Sequence, residues 1–265
     1  MALKTYLSSL AKAYHTTRLK LRRKPYKYVF LISHVRSGSS LFTHLLNTHP
    51  AICCYGETSI AYASRNDLDR LVVTVHGVLR KLSMKEAIVA DKLLHNRLLI
   101  DHALLNERDV FPVFLLRDPM ESLASMITNL AVPWYGDSSE ESVQKLVDHY
   151  VQRLKTIKEY AMDFARPECS LFVTYDRMLS NPTRLFMMLG EILGIDKRLF
   201  SVNYKTLRTT GLWGLGDGSP NIMSGVIQSR KEIKKPKNLL PAQQVVIEEA
   251  YRNCYAALSK SFRVV

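Results

Sequence analysis

No aspartate or glutamate precedes Glu57, while nine lysines and arginines do. That absence rules a carboxylate metal site out of the first 56 residues. Cysteine is scarce as well, with four in 265 residues, two of them adjacent at Cys53 and Cys54. This number and spacing exclude a disulfide-stapled secreted scaffold and match no zinc-ligand pattern. No His/Cys cluster completes a site elsewhere in the sequence, so no metal is expected, and free thiols in a cytoplasmic protein are. Long apolar runs are missing too: none approaches the ~20 residues of a membrane span. The opening stretch MALKTYLSSLAKAYHTTRLKLRRK has no signal-peptide core.

What is present is an ordinary globular composition, 47% hydrophobic and 23% charged. The net charge of +13 favours anionic partners: a phosphorylated or sulfated small molecule, an anionic membrane or nucleic acid. Residues 201–265 carry ten basic and four acidic residues. Because charge gathers at the N-terminus and in this late region, rather than interleaving with aromatics on one face, no nucleic-acid partner is expected. Residues 1–27 form a basic segment: a solvated helix, an amphipathic helix for peripheral contact with anionic membrane, or an organelle transit peptide. Residues 28–265 read as a single domain.

Within that domain strand and helix alternate. Tyr28–Ser33, Arg97–Ile100, Val113–Leu116 and Leu171–Thr174 are short apolar runs that fit buried strands. Leu41, Leu45 and Leu46 follow the first run at helical spacing. Glu121–Leu130 follows Pro119, which a first helical turn tolerates. Ser138 to Ala165 repeats apolar residues every three or four positions behind a Ser138/Glu141 capping box. Asn181-Pro182 opens another helix that Gly194 ends, and Pro241 opens a last one to about Ser259. Residues 209–240 are a long loop rich in Gly, Ser, Pro and Lys. Such alternation implies an α/β fold with a mostly parallel central sheet flanked by helices. Its ligands lie at the carboxyl ends of the strands.

One loop stands at such an end: Arg36-Ser37-Gly38-Ser39-Ser40, between the first strand and the first helix. A strand, a tight turn and a helix start present backbone N–H groups and a favourable dipole to an anion. Taken alone, the stretch fits an ordinary connection equally well. The triphosphatase pattern G-x-x-x-x-G-K-[ST] is not met. With its second glycine on Gly38, the first falls on Ser33 and the lysine on Ser39. The cation lies instead on the other side of the glycine, at Arg36.

The loop resembles the 5′-phosphosulfate loop of the sulfotransferase family, with serines for threonines. Two further stretches resemble the same family. FPVFLLRDPMESLASMI, Phe111–Ile127, is similar to its 3′-phosphate segment, with Arg117 and Ser125 eight residues apart. FVTYDRMLSNPTRLFMMLGEIL matches a strand that ends in a tyrosine, here Tyr175, with Asp176 in place of glutamate. The likeness runs from about Tyr28 to Gly194.

The resemblance implies a three-layer fold like that of P-loop nucleotide triphosphatases. It also implies transfer of a sulfuryl group from 3′-phosphoadenosine 5′-phosphosulfate to an acceptor hydroxyl or amine, by in-line displacement and without a metal. The loop pattern is nearest to the tyrosyl-protein and carbohydrate types. On this likeness Arg36, Ser37, Gly38, Ser39, Ser40 and Leu41 hold the phosphosulfate, and Arg117, Ser125 and Tyr175 the rest of the nucleotide. Ser224, Gly225 and Arg230 are assigned to a closing loop. Glu57, in HPAICCYGETSIAY, matches the base of some relatives. Many relatives carry an Asp-Lys pair whose lysine touches the sulfonate, and Asp101-His102 is taken for that place, making His102 a second catalytic candidate. His34 is expected to pack. The acceptor, a small molecule, glycan or lipid, is expected among residues 57–95 and 129–140, including Trp134 and Tyr135. A nucleotide-dependent small-molecule kinase and a basic nucleic-acid or membrane-binding module are the competing classes.

Overall fold

The computed structural model describes residues 2–207, 209–212, 217–228, 236 and 239–265, with side chains from residue 10 onward. Helix α1 (Ala2–Lys20) precedes strand β1 (Lys27–Ser33) and helix α2 (Ser39–Leu46). Then follow β2 (Ile52–Cys53), α3 (Arg65–Leu79), β3 (Ile88–Leu93), α4 (His102–Leu105) and β4 (Val110–Leu116). Helices α5 (Pro119–Tyr135) and α6 (Glu140–Asp163) lead to β5 (Leu171–Thr174), α7 (Tyr175–Ser180) and α8 (Pro182–Leu193). The chain closes with α9 (Pro220–Met223), α10 (Pro241–Ser261) and β6 (Arg263–Val264).

The strands form one six-stranded sheet in the order β2-β3-β1-β4-β5-β6, with every neighbouring pair parallel. The alternation of a strand's side chains sorts the core into two layers. From β1, Tyr28, Phe30 and Ile32 face α3, α5, α6 and α10, while Val29 and Leu31 face α2 and α8. Both faces of β1 are therefore buried, which is why it reads as an unbroken apolar run. The chain leaves β1 to build β2 and β3 on one side, then crosses to β4 on the other. The crevice at the carboxyl ends of β1, β3 and β4 is the switch point at which such sheets bind ligands.

Two expectations need correction. The run Arg97–Ile100 is not a strand; Ile100 makes only an isolated bridge to Tyr62, and Leu99 and Arg97 point outward. The strand lies earlier, at Ile88–Leu93, where IVADKL is buried along its whole length despite Asp91 and Lys92. The long helix is capped by Ser139, not Ser138: Ser139 Oγ accepts from the Ser142 N–H, and Asp137 accepts from both serines. Helix α1 packs on α3. Its fastenings are Tyr14 to the Leu82 carbonyl and, just beyond it, Arg22 to the carbonyls of Met84 and Glu86. Among the described residues no helix is long and apolar enough to cross a membrane.

A fully buried arginine sits at the switch point. From α6, Arg153 donates to the carbonyls of Ser33 (2.8 Å), Leu93 (2.5 Å) and His95 (3.4 Å), at the carboxyl ends of β1 and β3. Burial pushes its guanidinium down to about 10, and the ring of carbonyl oxygens keeps it hydrogen-bonded.

Candidate active site

A cleft of about 1580 Å³ opens at these strand ends. It is larger than the usual ~300–1,000 Å³ of a small-ligand pocket. Arg36, Gly38, Ser39, Ser40 and Leu41 line one wall. Arg36 and Gly38 both take left-handed backbone, at φ 64° and 92°, and Gly38 caps α2. Only glycine fits here, because a Cβ on Gly38 would lie 2.3 Å from the Tyr175 ring. As in any helix, the first N–H groups of α2 have no partner within the helix. Ser37 is off the wall; its buried hydroxyl has no hydrogen-bond partner among the described residues.

Tyr175 does a second thing: the Arg117 guanidinium lies over its ring, 4.4 Å from the centroid. Arg117 also bonds Glu121 (3.2 Å) and the Arg36 carbonyl (3.2 Å), while Ser125 accepts from Arg36 Nε at 2.8 Å. Arg36, Arg117, Ser125 and Tyr175, brought together from three parts of the sequence, thus form one connected group on the cleft wall. Asp176 is exposed and off that wall. His34 stands behind the group. It accepts from the Arg117 N–H through Nε2, and burial lowers its imidazole to about 4, so it is a neutral packing residue.

The residue that the sequence reading missed is Lys92. It follows Asp91 at the end of β3, so the Asp-Lys pair expected of relatives is present ten residues before Asp101-His102. Lys92 is only 3% exposed, lines the cleft beside Ser40, and among the described residues no hydrogen bond or ion pair reaches its ammonium. Burial pushes its pKa down, partly offset by Glu57, Asp91 and Asp217. Asp91 points the other way. It accepts from Thr58 N–H, Thr58 Oγ1, Tyr62 OH and its neighbour's N–H, fixing the loop that carries Glu57. Burial raises its carboxyl to about 6 against these bonds.

Glu57 lies in the cleft wall, nearly buried, with its Oε1 3.2 Å from His95 Nε2. His95 packs against Trp134 and His149, which with Tyr135 complete the far end of the cleft. His102 is elsewhere. It starts α4, is half exposed, and pairs with Asp163 at 3.0 Å, away from the cleft lining. The structure thus does not bring His102 together with the cleft residues.

On the late loop, Asp217 bonds the opposite wall: its Oδ2 lies 3.3 Å from Arg36 Nη2 and its N–H donates to Ser40 Oγ. Gly218, Ser219, Asn221 and Ile222 line the cleft with it. Ser224 and Gly225 do not. Ser224 closes a turn on the Asn221 and Val226 carbonyls, and Gly225, at φ 73°, lets the Tyr204 carbonyl approach. Arg230 lies outside the described residues. Away from the cleft, Cys53, His76 and Glu86 converge from separate elements, which no sequence spacing announces. Glu86 already holds a cation there, the Lys81 ammonium at 2.5 Å.

No family model matches this chain, and no curated protein does. Solved structures do. The sulfotransferase domain from the curacin biosynthetic pathway aligns over 92% of this chain and 100% of its own, with 15% identity and a TM-score of 0.57. A mouse sulfotransferase, SULT7A1, complexed with PAP, aligns over 93% and 90%, with 12% identity and a TM-score of 0.51. Sulfotransferase STF1 from Mycobacterium tuberculosis aligns over 72% and 73%, with 14% identity and a TM-score of 0.50. The chain has the fold these three proteins share.

Proposed function

We propose that this protein is a sulfotransferase that moves a sulfuryl group from 3′-phosphoadenosine 5′-phosphosulfate to an acceptor hydroxyl or amine. Lys92 carries the reading. Its side chain is buried but makes no hydrogen bond or ion pair among the described residues, and the charges of Glu57, Asp91 and Asp217 offset its burial only in part. It stands where a sheet of this kind binds ligands, beside the start of α2. The phosphosulfate supplies the remaining negative charge.

In this scheme Arg36, Ser39, Ser40 and the N–H groups near Leu41 hold the 5′-phosphate, and Lys92 faces the sulfonate. Arg117, stiffened over Tyr175, takes the 3′-phosphate with Ser125. Charge grows on the leaving phosphate as its bond to sulfur breaks and the acceptor's bond to sulfur forms. Preorganised cations there lower the barrier without a metal. Glu57 and His95 border the acceptor side. The Trp134 and Tyr135 wall suits an acceptor with an apolar or flat face, whether small molecule, glycan or lipid. Buried thiols at Cys53, Cys54 and Cys254 suit a reducing cytoplasmic compartment.

The test is calorimetric titration with 3′-phosphoadenosine 5′-phosphate, followed by transfer from labelled donor to phenols, sterols, sugars and alkyl alcohols. Saturable binding and metal-independent transfer are expected. Magnesium-dependent transfer from ATP instead would replace this reading with a kinase.

A further inference from the structure

Helix α1 spends only one of its faces on the domain. His15, 1% exposed, and Leu19 turn inward to the core. The outer face carries Leu10 (49% exposed), Tyr14 (43%) and, in the turn that extends the helix, Leu21 (74%). Spacings of four and seven residues put these three within about 40° of one another around the axis, along about 16 Å of it. In the sequence the same spacing continues back to Leu7 and Leu3. Leu82 (62%), between α3 and β3, joins the stripe: its carbonyl accepts from the Tyr14 hydroxyl at 3.1 Å. Single exposed leucines are ordinary on a protein surface; a contiguous row of them marks a place where something binds.

The surroundings of this row are cationic. Arg18 and Lys20 flank it on either side of the helix, Arg23 and Lys24 follow it, and Arg80 and Lys85 bracket Leu82 in the chain; all are exposed. The only acid in residues 10–26 and 77–87 is Glu86, which is buried and held by Lys81 at 2.5 Å. Aliphatic tips set among unopposed cations match the chemistry of a lipid interface. Anionic headgroups meet the lysines and arginines, and the acyl boundary takes up the leucines. A nucleic acid would use the cations but leave the leucines in water, because its bases stack on aromatic rings. Tyr14 is the one exposed aromatic ring in those stretches.

We infer that the outer face of α1, with Leu82, docks on a membrane that carries anionic lipid. Lasting attachment needs two signals, apolar insertion and a polybasic surround, and this face supplies both. The face lies where the chain enters β1 and β3, at the amino ends of the sheet. None of its residues lines the cleft at the carboxyl ends. A docked molecule therefore keeps its cleft open to solution. The inference is independent of the reaction carried out there.

Sedimentation of the full chain with vesicles tests this. Vesicles of equimolar phosphatidylcholine and phosphatidylserine should carry the protein down at low salt, and phosphatidylcholine alone should leave it in solution. Lys20→Gln, Arg23→Gln and Lys24→Gln together should weaken partition by about 100-fold, at about fivefold per charge. Leu21→Ser with Leu82→Ser should weaken it by about tenfold or more. As a control, Lys155→Gln, Arg252→Gln and Lys260→Gln remove the same charge from exposed positions on α6 and α10, and should change partition by less than about threefold. All three sets are exposed, so their Tm should stay near that of wild type. Failure of the wild type to sediment overturns the docking face. So does a control set that costs as much as the first, or a leucine pair that costs nothing, since either result is adsorption of a basic protein by net charge alone. Binding of a duplex oligonucleotide through the same cations, with the vesicles left bare, overturns it in favour of nucleic acid.

Discussion

Asp217 and Arg36 close the cleft upon itself: a carboxylate of the late loop sits 3.3 Å from the guanidinium that faces the helix start. A carboxylate of the chain's own thus pairs with the Arg36 of this loop, and under the proposed function a bound phosphosulfate would compete with it. The pair is partly solvated, so its worth is that of a surface ion pair, about 0.2–1 kcal/mol. Asp217→Asn is therefore expected to tighten binding of 3′-phosphoadenosine 5′-phosphate by about two- to fivefold at low salt, with the gain shrinking as salt rises. Calorimetry at two ionic strengths measures both; weaker binding would mean that Asp217 assists the nucleotide.

Arg117→Ala should weaken the same nucleotide by about 10- to 150-fold, the range of a charge-assisted pair of ~1.5–3 kcal/mol. Adenosine 5′-phosphate, which has no 3′-phosphate, serves as the control and should be affected far less. Equal losses for both ligands would place Arg117 elsewhere on the nucleotide.

Gly38→Ala is expected to fail twice. The left-handed backbone costs about 1–2 kcal/mol for any residue with a Cβ, and the new methyl must push the Tyr175 ring away. Moving that ring disturbs the platform under Arg117. Thermal unfolding should show a Tm lowered by several degrees, and nucleotide binding should fall as well. A variant as stable as wild type would show that the loop has another way to relax.

Lys92 gives a pH signature. Its folded-state pKa is lowered by burial, so below lysine's ordinary ~10.4 the unfolded chain binds more protons and stability rises with pH. The rise should run from the lowered folded value up to that ordinary value. Lys92→Met should remove that slope, raise the Tm at neutral pH and weaken stabilisation by the sulfated donor more than by 3′-phosphoadenosine 5′-phosphate. An unchanged slope would show that the ammonium is already compensated in the unliganded protein.

The sheet's central strands were legible because β1, β4 and β5 are buried on both faces and read as apolar runs. The strand β3 was not. Asp91 and Lys92 break its apolar pattern, and they are buried for reasons that only the fold reveals: four hydrogen-bond donors around one, a ligand cleft before the other. Arg97–Ile100 is the more apolar run on paper, yet its residues alternate outward. That slip moved the Asp-Lys pair onto Asp101-His102 and hid both Lys92 and His95. The loop at Gly38 was legible because a tight strand-to-helix turn is local; the meeting of Glu57 with His95 is not, since it depends on β2 and β3 lying side by side.

Arg153 adds a mechanical consequence. By clasping the last carbonyls of β1 and β3, it sets the gauge between the phosphate-facing loop that follows β1 and the Lys92–His95 segment. One guanidinium thus ties those two walls together. Across the cleft the late loop meets the first wall at Asp217, through Arg36 and Ser40. A side chain that touches neither reactant would thereby hold constant the span across which the transferred group must travel.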